Sequence, residues 1–106
     1  MGLTKSEIFT EEQNEIAALA KVLGHPARIA ILQNLIRRNT CVCGDLVADI
    51  GLAQPTISQH LKELKRIGII KGTIEGTSVC YCIDENKWSS VQHTMFQFFQ
   101  SNPNCC

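Results

Sequence analysis

The 106-residue chain lacks an excess of charge of either sign, since ten Lys and Arg face ten Asp and Glu. That balance excludes a histone-like polycation. It also lacks any run near the roughly 18 apolar residues that a membrane-spanning helix requires. Its first residues have none of the charged, apolar and small-residue blocks of a secretory signal. A cytoplasmic protein with no membrane partner is therefore expected. No internal repeat or low-complexity segment is present, and no Gly-rich phosphate loop. The three histidines, His25, His60 and His93, sit on separate predicted elements with no companion nucleophile motif, which argues against an enzyme.

So short a chain makes a single domain, residues 1–106, with a core over 11–100 and a flexible cysteine-containing tail over 101–106. Its modest core makes burial against a second copy attractive. The neutral total conceals an uneven distribution. Residues 1–20 carry Lys5 against Glu7, Glu11, Glu12 and Glu15, whereas residues 21–38 carry Lys21, Arg28, Arg37 and Arg38 with no acid. Such local patches can meet phosphates.

The periodicity predicts a mainly α-helical chain of about five helices with one β-hairpin. Thr10-Glu-Glu-Gln13 is a capping box, and Ile16, Leu19, Ala20 and Leu23 follow at helical spacing, giving a first helix over about 11–23. Pro26 suits the first turn of a second helix, in which Ile29, Leu32, Leu35 and Ile36 lead to Arg37-Arg38 and an end near Asn39. A short third helix begins around Gly44-Asp45, buries Leu46, Val47 and Ile50, and stops at Gly51. The fourth begins near Pro55 and ends at Gly68, with Ile57, Leu61, Leu64 and Ile67 on one face and Thr56, Ser58, Gln59, His60, Lys62, Lys65 and Arg66 opposite.

Residues 69–74 and 79–83 read as two strands joined through Glu75-Gly-Thr-Ser78. In the second strand Val79, Tyr81 and Ile83 should point one way and Cys80 and Cys82 the other, away from simple core filling. Asp84 is a good N-cap for a last helix over about 85–100, with Trp88, Val91, Met95 and Phe98 on one face and Phe96 and Phe99 beyond it. A helix so widely apolar implies a second partner, hence dimerisation.

Two short helices around Gly51-Leu-Ala-Gln54, the second basic and polar on its outer face, followed by a hairpin, make a winged helix-turn-helix. Residues near the N-terminus of an inserted helix reach base edges, and later Lys and Arg meet phosphates. Candidate DNA contacts are Gln54, Pro55, Thr56, Ser58, Gln59 and His60, then Lys62, Lys65 and Arg66, then Lys71 and Thr77 on the hairpin. Gln59 has the donor and acceptor pair that matches adenine. A lone amphipathic helix would more often be an ordinary solvated face; the ordered succession of helices and hairpin favours DNA.

Leu23-Gly-His-Pro-Ala-Arg-Ile-Ala-Ile-Leu32, Ala53-Gln-Pro-Thr-Ile-Ser-Gln-His-Leu-Lys-Glu-Leu64, Gly68-Ile-Ile and the Glu75-Gly-Thr hairpin resemble the ArsR/SmtB repressors, metal and metalloid sensors of bacteria and archaea. The resemblance covers roughly residues 12–100. It implies a homodimer joined through the first and last helices, double-stranded operator DNA bound by the helix beginning near Pro55, and release by an inducer.

The six cysteines come in pairs: Cys41 and Cys43, Cys80 and Cys82, Cys105 and Cys106. In a reducing compartment they suggest ion ligation, redox sensing or inert packing. Soft thiolates select soft ions, and trivalent arsenic or antimony takes three of them at a pyramidal site. The candidate ligands are Cys105, Cys106, Cys41 and Cys43, with Cys80 and Cys82 ranked after them. Arsenite or antimonite is the expected inducer, ahead of cadmium or zinc, and no cofactor is expected to be needed for folding. Cys41-Val-Cys43 resembles the Cys-x-Cys of the family's arsenite sensors but stands one residue out of register and has no third thiol downstream. The family's zinc ligands on the last helix have no counterpart, since His93 stands alone. Two other readings stay open: a repressor switched by thiol oxidation, and a thiol protein that binds or stores metal.

Overall fold

The structure, a computed structural model, describes residues 5–38, 46–75 and 78–104. The five expected helices are present among them, with a hairpin before the last. A single-turn helix not expected from the sequence, α1 (Lys5–Ile8), precedes them. The order continues α2 (Glu11–Leu23), α3 (Pro26–Arg38), α4 (Leu46–Ile50), α5 (Gln54–Arg66), β1 (Ile70–Glu75), β2 (Ser78–Ile83) and α6 (Glu85–Gln100).

The capping box forms at the start of α2. The Gln13 amide donates to Thr10 Oγ1 at 3.0 Å, and the Thr10 amide donates to Gln13 Oε1 at 3.0 Å, satisfying two donors that the helix cannot pair internally. Asp84 likewise caps α6 by accepting from the Lys87 amide. Between α4 and α5 the chain turns at Gly51, whose φ of +84° lies in the region a side chain disfavours. Its amide closes α4 on the Val47 carbonyl at 2.9 Å.

At the end of α5, Gly68 is also left-handed, with φ +89°. Its amide reaches Lys65 and the next amide, of Ile69, reaches Leu64. That pair of reversed bonds, with Ile69 and Leu64 both in the core, stops the helix and turns the chain into β1. The strands pair antiparallel, from Ile70 opposite Ile83 to Glu75 opposite Ser78. The Asp84 amide then donates to the Ile69 carbonyl at 2.9 Å, so the hairpin leaves and rejoins the body at one place.

One core joins these elements: Leu19 and Val22 of α2, Ile31, Leu32 and Leu35 of α3, Leu46 of α4, Ile57, Leu61 and Leu64 of α5, Ile69 and Ile70 at the start of the hairpin, and Val91 of α6. Full burial of each large aliphatic side chain contributes about 1.5–3 kcal/mol, so α5 is anchored chiefly by its inner face. Trp88, Met95, Tyr81 and Ile83 pack against its margin.

Three expectations need correcting. In α3 the inward face runs through Ala27, Ile31, Leu32 and Leu35, while Ile29 and Ile36 are exposed, because residues 27, 31 and 35 repeat one helical turn apart. In β2, Cys80 is 0% exposed although its strand neighbours Tyr81 and Ile83 also pack on the core. The helix α3 packs against this strand. On α6, Phe98 does not join Val91 in the core but is exposed with Phe96 and Phe99.

Candidate nucleic-acid interface

The candidate surface is the outer face of α5. Ala53 supplies an extended N-cap without a side-chain bond, and Pro55 in the first turn needs no partner for the amide it lacks. The N-terminal end is thus open, with Gln54, Pro55, Thr56, Ser58 and Gln59 all exposed. Gln54 Nε2 donates to Ser58 Oγ at 3.1 Å, which ties two of the candidate contacts together one turn apart. Lys62 and Lys65 follow on the same exposed side, and Lys71 is exposed on β1. Thr77 lies outside the described residues.

Arg66 is exposed but engaged. Its Nε and Nη2 donate to Glu63 Oε2 at 3.2 and 3.0 Å, and this hydrogen bond, with the guanidinium charge, holds the Glu63 carboxyl below its usual range. A phosphate contact by Arg66 has to compete with that fork.

His60 departs from the outward set. It is 8% exposed, on the stripe formed by Ile57, Leu61 and Leu64. The spacing 57, 60, 61, 64 is the i, i+3, i+4, i+7 of a buried face and is the signal that places it inside. Its Nδ1 accepts from Arg28 Nε at 3.2 Å, and the same guanidinium donates through Nη1 to the Val22 carbonyl at 3.2 Å. The His25 ring lies beside it, centroids 4.4 Å apart and planes tilted by 55°. His25 Nδ1 in turn accepts from the Ala27 amide at 3.1 Å. Two histidines read as belonging to separate elements are thus brought together, and Arg28, expected only as part of the basic stretch over 21–38, joins them.

α4 is held against α3 by a second polar bridge. Asn34 Nδ2 donates to Asp49 Oδ2 at 2.9 Å, and the Arg38 guanidinium pairs with the same oxygen. These two bonds, the Asn34 one foremost, lower the Asp49 carboxyl below its ordinary value. Arg28 and Arg38, neither read as a contact residue, thereby fix the two helices of the helix-turn-helix onto α3.

The thiols are only partly in view. Cys41, Cys43, Cys105 and Cys106 lie outside the described residues. Cys80 is held in a disulfide, and half-buried Cys82 keeps its thiol. Among the described residues no three His, Cys, Asp or Glu side chains gather as a metal site would require, and no helix is long and apolar enough to cross a membrane.

Comparison with known proteins gives this geometry its context. The family model for bacterial regulatory proteins of the arsR family matches residues 25–71. The biofilm growth-associated repressor of Xylella fastidiosa is 31% identical over 93 residues, 88% of this chain and 81% of that protein. The transcriptional repressor SmtB of Mycobacterium tuberculosis is 41% identical over 73 residues, 69% of this chain and 53% of its own. The crystal structure of the repressor BigR from Xylella fastidiosa superposes with a TM-score of 0.65 at 28% identity, covering 94% of this chain and all of the other. With the motif order, the hairpin after α5 and these relatives in agreement, the chain belongs to the arsR family of bacterial regulatory proteins, the ArsR/SmtB repressors of winged helix-turn-helix fold.

Proposed function

We propose that the chain acts as a homodimeric repressor: α5 enters the major groove of an operator, and a thiophilic inducer, arsenite or antimonite, releases it. The observation that carries the DNA reading is the division of α5, with Ile57, Leu61 and Leu64 buried and Thr56, Ser58, Gln59, Lys62 and Lys65 presented together in front of the hairpin. In this reading Gln59 reads adenine, Ser58 and Thr56 reach nearby bases or phosphates, and Lys62, Lys65 and Lys71 hold the backbone. The exposed rings of Phe96, Phe98 and Phe99 support a second copy as the partner of α6.

For the inducer, three thiols displace the three hydroxyls of arsenous acid as water. In the reduced protein Cys41, Cys43, Cys105 and Cys106 are the proposed donors, ahead of Cys80, whose disulfide withholds a thiolate until it is reduced. Gathering thiolates from separate elements would move the two α5 helices off the spacing of successive major grooves. A loss of about 5- to 150-fold in affinity needs only ~1–3 kcal/mol of coupling between the sites.

The Cys80 disulfide favours a second reading, a repressor switched by thiol oxidation. There, two thiols give two electrons and two protons to peroxide, yielding a disulfide and two waters.

The test is fluorescence anisotropy of a labelled duplex taken from just upstream of the coding sequence, with reduced protein and then arsenite, antimonite, cadmium, zinc or peroxide. Release by arsenite that disappears in Cys105→Ser with Cys106→Ser supports the first reading. Release by peroxide alone, reversed by a thiol reductant, replaces it with the second. Thiol-dependent metal uptake with no salt-dependent DNA binding replaces both with a metal-binding protein.

A further inference from the structure

The polar cluster beneath α5 has no part in the contacts above. Arg28 stands at its centre. One guanidinium arm is bonded to the Val22 carbonyl near the end of α2, and another to His60 on α5, so three helices meet at one side chain. Arginine can only donate, so His60 Nδ1 must carry a lone pair, and the ring proton sits on Nε2. The bond therefore requires a neutral imidazole.

We propose that Arg28 and His60 position the recognition helix only while His60 is neutral, so that acid loosens α5 and weakens operator binding. The inference rests on reading α5 as the DNA-contacting helix. Protonation would turn Nδ1 into a donor aimed at another donor and set an imidazolium against a guanidinium 3.2 Å away. His25, from the α2–α3 connection, adds a second imidazole at 4.4 Å. On α5 itself the charged neighbours are Lys62 and Glu63; the Glu63 carboxylate is bonded to Arg66 and also feels the charge of the Arg28 guanidinium. Burial first, then His25 and Arg28, lowers the His60 pKa from its ordinary 6.5, which agrees with the geometry. The sign is unusual for a DNA-binding protein. Protonating exposed histidines adds positive charge and tightens binding to phosphates, whereas this device loosens it.

Two measurements on the full chain test the inference. In the free protein, imidazole ¹⁵N–¹H correlation spectra should show His60 protonated at Nε2 and titrating below 6.5. The backbone amides of Ser58, Gln59 and Lys62 should shift with the same midpoint. Anisotropy of the labelled upstream duplex at fixed salt, from about pH 8 to 5.5, should show affinity falling by about tenfold or more in the wild type. His93→Gln, altering an exposed imidazole, should fall equally. His60→Gln, whose amide oxygen still accepts from Arg28 but takes no proton, should give a flat profile at whatever level it binds.

A His60 that titrates at or above 6.5, or α5 amides that ignore it, overturns the inference, as does a His60→Gln profile as steep as the wild type's. If the duplex is bound at no pH, the DNA reading has failed, and the spectra still decide whether His60 protonation moves α5.

Discussion

Asn34 and Asp49 face each other across α3 and α4, the amide donating to the carboxylate at 2.9 Å, with Arg38 on the same oxygen. The pair ties the short α4, only 5 residues long, to a helix that contributes three leucines and isoleucines to the core. A helix of that length is unstable alone, so its place depends on such anchors and on Leu46.

Breaking this anchor should be visible as a pH-dependent loss. The Asp49 carboxyl is held below its ordinary 3.8 by the bonds from Asn34 and Arg38. A carboxylate lowered in the folded state contributes stability above that value and loses it as the pH falls through the folded pKa. Asp49→Asn should therefore melt at a lower temperature than the wild type at pH 7. The gap should close below pH 3.8, and circular dichroism melts across that range check it.

Gln59 and Lys62 should separate sequence reading from charge. Gln59→Ala is expected to cost about 1–3 kcal/mol on the upstream duplex and to relax preference at one base position. Lys62→Ala should weaken specific and unrelated duplexes alike and reduce the slope of log affinity against log salt by about 1. Anisotropy titrations at several salt concentrations distinguish the two.

Gly68 should resist substitution for a backbone reason. A Cβ there would find the nearest atom, on the Lys87 side chain, at 3.8 Å, so space is not the obstacle. The φ of +89° is the obstacle, and Gly68→Ala should lower the unfolding free energy by about 1–2 kcal/mol in a denaturant titration.

Phe98 and Phe99 are 50% and 70% exposed, with ring centroids 5.2 Å apart. Replacing both with Glu should convert the proposed dimer to a monomer in sedimentation velocity while the far-ultraviolet helix signal is retained. A dimer that survives the change would move the interface away from the end of α6.

Much of the fold was readable because local signals agreed with the final packing. The capping box at Thr10, the stop at Gly68, the cap at Asp84 and the apolar stripe of α5 each arise within a few residues and meet no tertiary conflict. The departures came from contacts between distant segments. His60 looks polar in a list of residue types, and the bond from Arg28, 32 positions away, makes its burial tolerable. Cys80 alternates away from Tyr81, yet it is fully buried on a strand against which α3 packs. Phe98 follows Val91 at helical spacing, but among the described residues it stays half exposed. Apart from His60, the outward residues of α5 were correctly placed from periodicity, whereas the bonds of Arg28 and Arg38 were missed because their partners are histidine and aspartate on other helices.

The bond from the Asp84 amide to the Ile69 carbonyl has an evolutionary consequence. Everything from Ile70 to Ile83 departs from and returns to a single closed junction, like a handle fixed by both ends to one rivet. Insertions, deletions or wholesale replacement at its far end leave the path from α5 to α6 unchanged. Descendants of this chain can therefore diversify the tip of the handle, beyond Ile70 and Cys80 that sit in the core, without renegotiating the helices that carry it.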